Sequence, residues 1–188
     1  MNFPAYCQYF KSIADQPLSA QQAPYDQPDY LNYVQLNWSR MNRWLKNGRL
    51  SEALVNRVKG IRSAQSWLVI TEPWCGDAAH SVPFIELLSK VNPLISIRYE
   101  LRDSEPFSIN QYLTNGSKSI PKLVVRNSAN TDLFAWGPRP VACQKIYTDL
   151  LTRNADQDEI KIALQKWYNE DKGQTLQEEL LVQFTRID

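Results

Sequence analysis

The apolar run Trp67-Leu68-Val69-Ile70-Thr71, followed closely by Trp74-Cys75-Gly76 and a helical pattern, constrains this chain more than any other feature. A short stretch without polar alternation marks a strand buried on both faces, which places it inside a sheet. The helix after it runs through Val82, Ile85, Leu88 and Val91. Asn92-Pro93 ends it, because the residue before a proline is pushed out of helical backbone. Ile95, Ile97, Tyr99 and Leu101 then alternate with Ser96, Arg98 and Glu100, as a half-exposed strand does. A strand-helix-strand crossover makes the two strands parallel.

Downstream, Phe107 to Leu113 is expected as a short helix stopping at Asn115-Gly116. Leu123-Val124-Val125 and Leu133-Phe134-Ala135-Trp136 flank the turn residues Asn127 to Asn130 and read as a hairpin. Pro138 and Pro140 open a further helix with Cys143, Ile146, Tyr147 and Leu150 on its inner face. Ile160 to Tyr168 and Leu176 to Phe184 close the chain as helices. Upstream, the first thirty residues are rich in Gln, Pro, Asp and Tyr, and are expected as an arm that packs locally or stays mobile. Tyr30, Val34, Trp38, Met41 and Leu45, widened by Tyr33 and Trp44, make a helical core stripe, with Asp26 or Asp29 as cap and Asn47-Gly48 as stop. Ser51 caps a second helix, through Leu54, Val55, Val58 and Ile61, that ends near Gly60. One domain is expected, α/β in class, with a mixed central sheet flanked by helices. Residues 1–64 form an N-terminal arm and helical extension, 65–152 the core, and 153–188 a C-terminal helical extension.

Charge excludes several partners. Twenty-one basic and twenty acidic side chains leave +1, so no broad field points to nucleic acid or to an anionic membrane. The apolar runs are too short to span a bilayer. The start, Met1-Asn2-Phe3-Pro4-Ala5-Tyr6, lacks the basic and apolar segments of a secretory signal, so a cytoplasmic location is expected. Cys7, Cys75 and Cys143, odd in number and widely spaced, fit free thiols. With a single histidine, no metal site and no cofactor are expected.

The element order and four local matches resemble the thioredoxin superfamily over roughly residues 65 to 152. Trp74-Cys75-Gly76 stands where that family carries Trp-Cys-Gly-Pro-Cys. Pro83, eight residues after Cys75, matches its helix-kinking proline, and Ser119-Ile120-Pro121 its cis-proline loop. Gly137 follows the hairpin as a family glycine does. The fuller pattern, with Tyr112-Leu113-Thr114-Asn115-Gly116 and Trp136-Gly137-Pro138-Arg139-Pro140, resembles a little-characterised bacterial branch with a single-cysteine motif. The departures matter equally. Asp77 replaces the motif's proline, Ala78 its second cysteine, and Val69 the buried acid six positions ahead of the first cysteine.

A cysteine at a helix N-terminus faces unpaired N–H groups and the positive end of the dipole, so Cys75 is expected to have a depressed pKa despite Asp77. The resemblance implies that Ile120, before a cis Pro121, faces Cys75 and pairs with an extended substrate, while Trp74 and Gly76 shape the groove. Arg139 reads either as a surface or structural arginine or as an anion contact on the same rim. Thiol-disulfide exchange through Cys75 is the first functional reading. Its mixed disulfide is resolved by an outside thiol, since Ala78 cannot do so. The implied partners are a protein or a low-molecular-weight thiol or disulfide, with no oligomeric state written in the pattern. The alternative is a redox-inactive binding module using the cis-proline groove. Cys143 reads as a buried structural thiol, Cys7 as an incidental one in the arm, Asp77 as a first-turn acid, and His80 as an exposed surface histidine.

Overall fold

The computed structural model describes residues 1–187. Its first helix, α1, spans Phe3–Asp15 and buries Tyr6, Phe10, Ile13 and Ala14. The expected arm is therefore a docked helix. Its residues recur three and four apart, and the Asn2 side chain caps it by accepting from the Ala5 N–H at 3.0 Å. The many Gln and Pro residues around this stripe hide it in the composition. Helix α2, Pro28–Asn47, begins on Gln27 without a side-chain cap. Pro28 fixes the start, which leaves Asp26 too early to cap and puts Asp29 inside the first turn. Its buried face is Leu31, Val34, Asn37, Met41 and Trp44, rotated from the expected stripe, so Tyr30 faces outward. Helix α3, Glu52–Lys59, starts where the Ser51 hydroxyl accepts from the Leu54 N–H and ends on Gly60.

Strand β1, Gln65–Thr71, leads through the Cys75 turn into α4, Gly76–Ser89, with Pro83 inside it. Strand β2, Ile95–Leu101, runs parallel to β1 with Val69 opposite Tyr99. Between β2 and β3 only a single 3₁₀ turn forms, at Ser108–Gln111, in place of the expected helix. Ile109 is its one buried residue, and one apolar anchor cannot hold an α-helix to the core. Strands β3, Lys122–Arg126, and β4, Asp132–Trp136, are antiparallel, giving the order β2-β1-β3-β4. Helices α5 (Val141–Thr152), α6 (Gln157–Asp171) and α7 (Gln174–Arg186) follow.

One sheet face carries Trp67, Val69 and Thr71 with Tyr99 beside them. Tyr6 of α1 stacks on Tyr99 at 5.5 Å, and Phe184 of α7 stacks on Trp67 at 5.3 Å. The Tyr99 hydroxyl donates to Glu86 of α4 at 2.6 Å. On the opposite face Leu68, Ile70 and Val124 are fully buried. Among the described residues no helix is long and apolar enough to cross a membrane.

Candidate functional site

Cys75 is the N-cap residue of α4, held there because β1 ends at Thr71 and the Cys75 N–H donates back to the Glu72 carbonyl at 3.1 Å. Its thiol donates to the Ile120 carbonyl at 3.4 Å. The Ile120–Pro121 peptide bond is cis. Behind that loop Gly137 has φ +115, and a Cβ there would fall 2.1 Å from the Pro121 carbonyl oxygen, so only glycine fits. Trp74 meets Tyr30 of α2 edge-on at 6.2 Å, with the Arg102 guanidinium 4.6 Å from its ring centre.

The electrostatics reverse the expectation for Cys75. The residue is 6% exposed, and burial pushes its pKa up to about 12, with the Asp77 carboxylate adding to the rise. The N–H groups of Ala78 and Asp77 pull the other way, but less strongly. A helix terminus stabilises charge only partially, and desolvation of a thiolate outweighs it here. Asp77, also buried, pairs with Arg139 at 2.7 Å and accepts from the Tyr168 hydroxyl of α6 at 2.8 Å. Burial raises its carboxyl above the ordinary value, an effect Arg139 and Tyr168 partly offset. Arg139, which lines the same rim as Cys75, pairs with Asp77, with Tyr147 4.2 Å beneath its guanidinium.

His80 is not on the surface. It is 4% exposed, its Nδ1 accepts from Trp44 Nε1 at 2.8 Å, and its Nε2–H donates to Gln165 Oε1 at 3.1 Å. It stacks on Tyr168 at 4.4 Å, and burial lowers its pKa to about 3, so the ring is neutral. The expectation failed because almost the whole circumference of α4 is covered, so no face of it is left for solvent. Cys7 sits half-buried on α1, where Glu86 and Lys90 act on it, which removes the mobile arm that could carry it elsewhere. Cys143 is fully buried, with its pKa also pushed to about 12 by burial.

Sequence reasoning missed Arg40, Glu72, Gln165 and Tyr168. Glu72, three residues ahead of Cys75, is buried, accepting from the Tyr25 hydroxyl at 3.4 Å and the Asp103 N–H at 3.3 Å. Its signal was a carboxylate directly after an apolar strand. Arg40 donates to Asn37 Oδ1 at 2.9 Å, and Asn37 in turn donates to the Pro73 carbonyl at 3.1 Å. Arg40, Gln165 and Tyr168, though not Glu72, line a cavity of about 720 Å³ against Cys75, walled by the turn, the Ser117–Ile120 loop, α2 and α6. Among the described residues no group of three or more His, Cys, Asp or Glu side chains is placed to hold a metal ion.

A parallel strand-helix-strand unit, a hairpin and a further helix, with a cysteine at the strand-to-helix turn facing Ile120-Pro121, define a thioredoxin-like fold. A family model described as thioredoxin matches residues 25–155, and the chain belongs to that family. The match begins before α2, wider than the stretch whose motifs carry the resemblance. Among solved structures, an HIV epitope-scaffold aligns over 100% of both chains at 16% identity with a TM-score of 0.56, a likeness of fold alone. A protein of unknown function from Pseudomonas aeruginosa, PA1234, aligns over 83% of this chain and 89% of its own at 18% identity, with a TM-score of 0.48. No curated protein matches the sequence.

Proposed function

We propose that this chain is a thioredoxin-fold binding module in which Cys75 rests as a neutral thiol beside the ligand. The observation that carries this reading is the Cys75 thiol, buried and donating to the Ile120 carbonyl at 3.4 Å. Burial pushes the Cys75 thiol up to about 12, so at neutral pH the protonated form dominates and the nucleophilic thiolate is scarce. Ala78 supplies no resolving thiol. The walls from α2 and α6 enclose the Ile120 backbone, which favours a compact ligand over a long extended strand.

Intact-mass measurement after exposure to glutathione disulfide or 2-hydroxyethyl disulfide at pH 7.5 tests the reading. No adduct at Cys75 over hours is the expected result. Prompt, stoichiometric addition at Cys75 overturns it.

A second reading keeps exchange chemistry, because Cys75 still lines the cavity and two backbone N–H groups favour its thiolate. In that reaction the Cys75 thiolate attacks a disulfide sulfur, a mixed disulfide forms and the other sulfur leaves as thiolate. An outside thiol then attacks the mixed disulfide and returns Cys75 as thiolate. The prompt adduct described above is its signature.

A further inference from the structure

The cavity beside Cys75 has a charge balance unlike the rest of the chain. Five cationic side chains line it, Arg40, Arg102, Lys118, Arg139 and Lys161, against the carboxylates of Asp29 and Asp77. The whole chain carries only +1. Three of the cations are already paired: Arg139 with Asp77 at 2.7 Å, Arg102 with Asp103 at 2.5 Å, and Lys161 with Asp158 at 3.3 Å. Among the described residues Arg40 and Lys118 have no carboxylate at ion-pair distance. Lys118 is exposed at the rim, where water solvates it.

Arg40 is different. It is half-buried on α2, donates only to the neutral Asn37 amide, and has its Nη1 4.0 Å from where a Gly76 Cβ would sit. Desolvation and the neighbouring Arg43 both oppose its charge. A partly desolvated guanidinium without a counter-charge is costly, and an anion entering the cavity offsets that cost. Tyr33, Trp74 and Tyr147 supply flat apolar walls. About 720 Å³ lies within the range of roughly 300–1,000 Å³ typical of small-molecule sites.

We propose that the cavity binds a small organic anion, a carboxylate or a phosphate on a planar or apolar body, with Arg40 as its charge partner beside Gly76. This deepens the binding-module reading and rests on it. Fluorescence titration of the full chain with 8-anilinonaphthalene-1-sulfonate, beside its uncharged relative N-phenyl-1-naphthylamine, tests the assignment. The anionic dye is expected to saturate one site about tenfold more tightly than the neutral one, and to weaken with added salt. Arg40→Gln is expected to cost about tenfold in affinity for the anionic dye and nothing for the neutral dye. Lys59→Gln, on the distant α3, changes neither. Benzoate and phenyl phosphate are expected to displace the dye, their relative strength separating carboxylate from phosphate, while benzyl alcohol fails to.

Equal affinity for both dyes, or an anionic-dye affinity indifferent to salt and to Arg40→Gln, overturns the anion assignment and leaves the cavity reading standing. Binding of neither dye overturns both. The salt titration needs no variant, so a misfolded Arg40→Gln does not rescue the proposal.

Discussion

The two walls of the cavity were built by different means. One is a turn and a loop, Trp74 to Asp77 and Ser117 to Ile120, whose positions follow from local backbone geometry at the end of β1 and the start of β3. The other is helical, from α2 and α6, and exists only because helices distant in sequence pack over the turn. The first wall puts a cysteine where a helix terminus favours its thiolate. Cys75 itself is buried, and the desolvation of its thiolate outweighs that advantage. At this turn the helix terminus and burial act on the same thiol in opposite directions, and burial is the larger of the two.

Replacing the glycine that backs the first wall has the largest expected effect. Gly137→Ala puts a Cβ 2.1 Å from the Pro121 carbonyl at a backbone angle side chains avoid. It should cost about 3 kcal/mol or more in denaturant unfolding. If it unfolds at the wild-type midpoint, the close approach of the two loops is wrong. Arg139→Met comes next, leaving Asp77 buried without its counter-charge, at about 3 kcal/mol. Tyr168→Phe removes one hydroxyl of the helical wall from the same carboxylate and should cost about 1–2 kcal/mol. Two losses that simply add would show that the walls act separately on Asp77, since groups sharing one partner couple.

The smallest effect at neutral pH concerns His80. The unfolded chain protonates it near 6.5, whereas the folded chain does not until about 3. Its contribution to stability is therefore complete above pH 6.5 and is lost as pH falls toward 3. His80→Gln should flatten the slope of stability against pH across that window, whatever it does to the level. An unchanged slope would put His80 back in solvent.

The division between the walls also marks what the sequence made legible. Strand β1, the crossover, the hairpin and the Cys75 turn follow from periodicity and turn residues within a few positions of one another. The state of the site does not, because its partners are far along the chain. Tyr168 lies 91 positions from Asp77, and no local pattern joins them. His80 was misjudged for the same reason: its position on α4 was right, but the second and third surfaces packed on that helix come from α2 and α6. Helix α1 differs again, since Tyr6, Phe10 and Ile13 stand in plain helical spacing among residues whose composition reads as an arm that packs locally or stays mobile.

Burial opposes the Cys75 thiolate more strongly than the helix terminus favours it. Its alkylation rate against pH, followed residue by residue with peptide mass spectrometry, tests this most directly. Slow labelling at pH 8 and a rate still climbing through pH 10 are the expected result. A fast reaction that levels off with its midpoint below about 8.5 would contradict it.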